Sequence, residues 1–197
     1  LKDLELVNRL KHKDQSAYVE LVNLYSERVL NICFGFLRSE EEARDTAQEV
    51  FIEIFLSIRH FRSDSALSTW IYRIAVNKSL DLLRKHQRKK RFAYLVRLSH
   101  GNPGETGMVP ASGDTPLSQM IAREQQAFLE RAVGHLPESQ RIAWTLHKLE
   151  GMPQAEVATV MGNTVPAVES LIHRAKKNIA RYMEKRYYSG SDRKVGR

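Results

Sequence analysis

The sequence is short of cysteine, of long apolar runs and of acid. Cys33 is the single cysteine, so the chain can close no internal disulfide and build no cysteine-rich zinc site, and a reducing, cytoplasmic setting suits it. No segment approaches the ~20 consecutive apolar residues of a membrane span, and no signal peptide is visible, so stable membrane insertion is not expected. Acids number 23 against 31 Lys and Arg, a net charge of +8 with a pI near 9.7. That balance favours a polyanionic partner, although a basic surface could also meet anionic lipid. Catalytic signatures are missing too. There is no HExxH, Walker loop, G-x-S-x-G or Cys/His cluster, and the seven histidines are scattered from His12 to His173. No catalytic residue, metal site or cofactor is therefore expected. The chain opens on Leu1 rather than Met, as expected of a trimmed or processed chain.

What is present is helical periodicity. Leu4, Val7 and Leu10 predict a short first helix, and Asp14 and Ser16 can cap a second. There Tyr18, Leu21, Val22, Tyr25, Val29, Ile32, Cys33 and Phe36 keep an apolar stripe, which makes Cys33 a buried structural thiol. Ser39 with Glu42 reads as a capping box opening a third helix, through about His60. Its core side is Ala47, Val50, Phe51, Ile54, Phe55 and Ile58. Elsewhere on the same helix Gln48, Ile52 and Leu56 form a second strip beside Asp45, Glu49 and Glu53. Exposed Ile and Leu among acids is the surface of a helix that docks on a basic protein; the alternative is a helix buried on two sides.

Ser65–Lys85 organises the rest. Ile71, Tyr72, Ala75, Val76, Leu82 and Leu83 make its core face, while Trp70, Arg73, Asn77, Asp81 and Arg84 step along another face by three or four residues. Guanidiniums hold phosphate, an amide can hydrogen-bond a base, and an indole can stack on an unpaired one. The plainer alternative is a solvated face with a half-buried Trp and an internal Arg–Asp pair. Phe61–Thr69 before it is a polar loop, with Ser68 or Thr69 as candidate caps. Arg84 to Arg91 adds six Lys or Arg and no acid, extending the basic face.

Ser99–Ser118 holds four of the ten glycines and three of the six prolines and reads as a flexible linker between two domains. Helical order resumes at Met120 and Ile121 and continues through Phe128, Leu129, Ala132 and Val133; Pro137 breaks it, and a helix follows through Glu150. In the last segment Ala158, Gly162 and Val168 carry the helix-turn-helix spacing: a small residue at the crossing, glycine in the turn, an apolar anchor in the second helix. Thr164 can cap that helix, with Pro166 in its first turn. Its outer face shows Pro166, Ser170, His173 and Lys177 with Glu169 and Arg174 at the margins, a set suited to a major groove. A plain helical hairpin is the alternative.

These residues, in this order, resemble bacterial RNA polymerase sigma factors of the small extracytoplasmic-function (ECF) type. Asp45-x-x-Gln48-Glu49 with Phe55 is similar to the family's clamp-gripping segment. Phe61-Arg62 with Ser68-Thr69-Trp70-Ile71-x-Arg73-Ile74-Ala75-x-Asn77-x-x-x-Asp81-x-x-Arg84 is similar to its minus-10 segment. Leu136-Pro137, Gly151 and the helix-turn-helix are similar to its minus-35 domain. The resemblance implies an all-α protein of two helical domains, 1–98 and 119–197, joined by a flexible linker at 99–118 that relatives thread into polymerase channels. It implies a non-enzymatic subunit whose partners are core RNA polymerase and promoter DNA, both duplex and melted non-template strand, with an anti-sigma protein as a further candidate. Core polymerase would be met by Asp45, Gln48, Glu49, Ile52 and Leu56. The minus-10 element would be met by Phe61, Arg62, Ser68, Thr69, Trp70, Arg73, Asn77, Asp81 and Arg84, and the minus-35 element by Pro166, Glu169, Ser170, His173, Arg174 and Lys177. Leu171 stands where relatives often carry Arg, and Glu169 is acidic, which leaves the minus-35 preference open. Two other readings compete at this point: a stand-alone helix-turn-helix regulator, which needs a dimer or ligand domain, and a metal-dependent nuclease, which needs clustered acids.

Overall fold

The structure is a computed structural model that describes the backbone of residues 2–99 and 127–191 and the side chains of residues 3–89 and 127–185. Among them there is no strand. The expected linker and the resumption at Met120 and Ile121 lie outside the described residues, apart from Ser99. The elements are α1 (Lys2–Lys11), α2 (Gln15–Leu37), α3 (Glu40–Ser57), a 3₁₀ turn (Ile58–His60) and α4 (Leu67–Ser99). After the gap come α5, described over 127–134, α6 (Glu138–Trp144), a wider π-helical turn (Thr145–Leu149), α7 (Gln154–Met161) and α8 (Val165–Ser191).

The first unit is a bundle of α2, α3 and α4 with α1 laid against it. Leu21, Val29, Ile32, Cys33, Val50, Ile54, Ile71 and Ala75, all inaccessible to solvent, interlock at its centre. Burial pushes the Cys33 thiol up to about 11, against a weaker hydrogen-bond effect from Ser79, so the sulfur stays protonated and inert. The helix starts are local chemistry. Asp14 caps α2 by accepting from the Ser16 and Ala17 amides, and Arg9 Nε meets its other carboxylate oxygen at 2.8 Å. Hydrogen bonds from Ser16 and then Arg9 hold the Asp14 carboxyl well below the usual carboxylate range. Ser39 Oγ accepts from the Glu42 amide at 3.3 Å and opens α3; the Glu42 carboxylate lies 3.4 Å from His86 Nε2.

Three local expectations are corrected. Leu4 is exposed and Leu6 is buried, because α1 turns its 6-7-10 side to the bundle. Phe55, expected in the core, is half exposed. Ser68 and Thr69 do not cap α4: the helix starts earlier, with the Trp70 amide donating to Ala66 O, which puts both inside the first turn.

In the second unit, Ala132, Val133, Leu136, Ala175 and Ile179 pack α5 on α8. Pro137 and Pro153 sit just ahead of α6 and α7, where a missing N–H costs nothing, and their carbonyls accept from Arg141 and Val157. The expected helix after Pro137 reaches Leu149, but its last five residues widen into the π turn. Gly162 carries φ +65° between α7 and α8, a left-handed conformation that its lack of Cβ makes inexpensive. Ala158 is buried at the crossing and Val168 is fully buried, so the helix-turn-helix geometry is realised.

The two units pack together. Met152, Val157, Ala158, Val160, Val168 and Ile172 join the same apolar cluster as the α2–α3–α4 core. They approach closely at Gly35 in α2, where an added Cβ would sit 2.7 Å from Thr145 Cγ2 of the π turn.

Gly162→Ala places a side chain at positive φ and is expected to lower unfolding free energy by about 1–2 kcal/mol in a denaturant titration. Gly134→Ala, at an open helical position with nothing within 4 Å, is expected to raise it by about 0.5–1 kcal/mol.

Candidate nucleic-acid and polymerase interface

The start of α4 and the loop before it form a platform. Phe61 is buried, its ring centroid 5.1 Å from that of Trp70, and Thr69 is buried beside fully enclosed Leu67. Phe61 and Thr69 therefore build the floor, while Arg62, Ser63 and Asp64 stand exposed above it and Ser68 and Trp70 are half-buried. Ser63 has φ +59°, a left-handed conformation uncommon for a residue with a Cβ. The turn thus holds a non-glycine residue in a strained state at the point where the loop is most open.

Along α4, Asn77, Asp81 and Arg84 are exposed and Arg73 is half-buried. The stripe expected from the spacing is a single face, and Arg73, Asp81 and Arg84 on it are engaged. Arg73 Nε donates to Val160 O at 3.0 Å and its Nη2 donates to Thr159 O, both at the end of α7. Arg84 makes a two-pronged contact with Glu138, at 2.6 and 3.2 Å, and an internal pair with Asp81 at 2.8 Å. The plainer Arg–Asp pairing is therefore present on this face. Farther along, Lys85, Arg88 and Lys89 are exposed.

On α3, Gln48, Asp45 and Glu49 are exposed, with Ile52 58% and Leu56 64% accessible. Those are high values for aliphatic side chains, so the alternative of a helix buried on two sides fails. Phe55 adds to this surface at 49% accessibility, its ring edge-on to Tyr18 at 5.3 Å. The spacing puts it in the core; its position three residues from Ile52 is the signal for the outer strip. Glu53 reaches Lys78 of α4 at 3.7 Å.

On α8, Pro166, Glu169, His173, Arg174 and Lys177 are exposed and Ser170 is half-buried, while Val168, Ile172 and Ala175 face inward. Thr164 Oγ1 accepts from the Ala167 amide at 3.4 Å, a weak cap. Lys176 and Arg181, not singled out from the spacing, are exposed as well and add to the positive charge of the helix.

Among the described residues no group of three or more His, Cys, Asp or Glu could hold a metal ion, and no helix is long and apolar enough to cross a membrane. Comparison with known proteins matches Sigma-70 region 2 over residues 21–89 and Sigma-70 region 4 over residues 122–179. The RNA polymerase sigma-H factor of Pseudomonas aeruginosa is 32% identical over 184 residues, covering 93% of this chain and 94% of its own. The ECF RNA polymerase sigma-E factor of Escherichia coli K12 is 33% identical over 179 residues, covering 91% and 93%.

The chain belongs to the ECF sigma factors.

A solved structure of CnrH in complex with the cytosolic domain of CnrY shares the fold, with a TM-score of 0.64 and 23% identity over 93% of this chain and 97% of that one. A sigma factor binds core RNA polymerase and promoter DNA.

Phe61→Ala is expected to cost about 3–5 kcal/mol in a denaturant titration, as loss of a buried aromatic does, whereas Arg62→Ala stays within about 0.5 kcal/mol. The pair separates a residue that supports the platform from one that is presented on it.

Proposed function

We propose that this sigma factor divides its work among three surfaces of the two units. The outer strip of α3 docks core polymerase, the loop 61–66 with α4 reads and opens the minus-10 element, and α8 reads the minus-35 element. The observation that carries the reading is the exposure of Ile52, Phe55 and Leu56 among acids, on the same chain as a built helix-turn-helix. A stand-alone regulator has no use for that strip.

Asp45, Gln48 and Glu49 supply charge and hydrogen bonds around the apolar centre made by Ile52, Phe55 and Leu56, the anatomy of an interface with a dry core and polar rim. On α4, Arg73 and Arg84 hold backbone phosphate, Asn77 offers an amide to a base edge, and Asp81 orients Arg84. Arg62 and Ser68 flank the platform of Phe61, Thr69 and Trp70, where an unstacked base of the non-template strand is received. Unstacking costs a few kcal/mol, and a preformed platform with aromatic stacking offsets that cost. On α8, Pro166, Glu169, Ser170 and His173 face base edges, and Arg174 and Lys177 hold phosphates. The protein acts in the cytoplasm as a specificity subunit without catalysis of its own, and an anti-sigma protein is a fitting regulator. The segment 99–118 joins the two units.

Ile52→Glu with Leu56→Glu is expected to weaken binding to purified core polymerase by about tenfold or more while the helical circular dichroism is unchanged. Normal affinity of the double variant removes α3 as the docking surface. Ser170→Ala and His173→Ala are each expected to change upstream-element preference, by about 5- to 150-fold at the contacted base pair, with core affinity unaltered. Unaltered promoter selection by both contradicts the placement of α8 in the groove.

A further inference from the structure

The outer face of α8 is basic with one exception. Residues 165–183 hold four Lys or Arg and a single acid, Glu169. Its carboxylate is exposed and has no ion pair or hydrogen bond among the described residues. His173, one turn farther on, is exposed and equally unpaired.

Two ordinary explanations for such an acid fail. The first is the field of the helix N-terminus. Thr164 Oγ1 meets the Ala167 amide at the start of α8, so Glu169 lies in the turn after, where that field has faded. The first turn itself, where an acid is favoured, carries none. The second is a salt bridge, and no cation of the described residues makes one with it. An unpaired carboxylate on a helix that meets a polyanion is repelled by phosphate, and only a donor on the partner offsets that repulsion.

The fold fixes where this acid stands. Val168 is fully buried and Ile172 nearly so, which sets the rotation of α8 and leaves Glu169, Ser170 and His173 on its outer side. Leu171, where relatives often carry Arg, packs against the apolar core and is withdrawn from the reading face. Glu169 and His173 are neighbours at a spacing of four.

A carboxylate only accepts hydrogen bonds, which makes it selective in a major groove. Guanine presents N7 and O6 there and thymine O4, all acceptors that repel it. Adenine sets its N6 amino group beside the N7 acceptor. Cytosine alone presents a donor, its N4 amino group, with no acceptor on the same base.

We infer that Glu169 reads a cytosine in the minus-35 element, accepting a hydrogen bond from the N4 amino group and disfavouring the other three bases at that position. The inference rests on the assignment of α8 to the minus-35 element and names the base chemistry that its one acid selects.

In the test, holoenzyme assembled from core polymerase and the full-length chain selects fragments from a randomised promoter library, and the retained fragments are sequenced. The wild-type chain is expected to retain cytosine at one position of the upstream element. Glu169→Gln keeps the length of the side chain but adds a donor, which suits the N6 and N7 of adenine. It is expected to shift that position alone from cytosine towards adenine, changing their ratio by about 5- to 150-fold. Glu169→Ala is expected to abolish the preference there and leave the other positions as they were. Glu169 is exposed, so both variants are expected to keep the helical circular dichroism of the wild type. Unchanged preferences in both variants, or a wild-type element without cytosine at the position they alter, overturn the inference. His173→Ala in the same selection is the separate check on α8. A change there with a neutral Glu169→Gln refutes the role of Glu169 alone, whereas no change in any of the three variants refutes the placement of α8 in the groove.

Discussion

Arg73 sits on α4 with two of its donors committed to the carbonyls that end α7, and donors held there are not aimed at a phosphate. Much of the structure follows from the demand placed on this one helix. Its inner side, through Ile71, Ala75 and Leu80, is needed for the core of the first unit. Its outer side, through Asn77, Asp81 and Arg84, is free of that duty and carries polar groups at a helical spacing. In the structure the guanidiniums of that side, Arg73 and Arg84, meet protein.

Charge is sorted by surface rather than spread evenly. The first turn of α3 carries Glu40, Glu41 and Glu42, and Asp45 and Glu49 follow on its exposed side. Those acids suit a helix N-terminus and repel a polyanion, so α3 is a poor DNA surface and a good one for a basic protein. The exposed bases of α4 and α8 have the opposite preference. A net charge of +8 therefore understates the contrast between faces. The apolar residues Ile52, Phe55 and Leu56 lie on the acidic side, and in the proposed docking they would be buried against protein while the acids select the partner.

Features set by neighbours in the chain were legible before the structure. The Asp14 cap, the burial of Ala158 and Val168, the turn at Gly162 and the two faces of α4 each depend on residues within one or two helical turns, and each is present. Leu4 and Phe55 were misplaced because an apolar residue at the edge of a stripe satisfies the period from either side; only the packed neighbour decides. Ser68 and Thr69 are good cap residues, but burial of Leu67 draws the helix start toward Ala66 and leaves both inside it. The seating of α7 on α4 was not legible at all. It joins Arg73 to backbone oxygens 86 and 87 residues away, and a carbonyl leaves no mark in the amino-acid sequence. Gly35 did leave a mark, as a glycine inside a long apolar helix, where only a close approach justifies its entropic cost.

The most direct test of promoter reading by this chain is transcription from a library of promoter fragments by purified core polymerase, with and without the protein. The account predicts new start sites that share two sequence elements at a fixed spacing, seen only when the chain is added. No new start sites across the library, despite a stable complex with core polymerase, would contradict it.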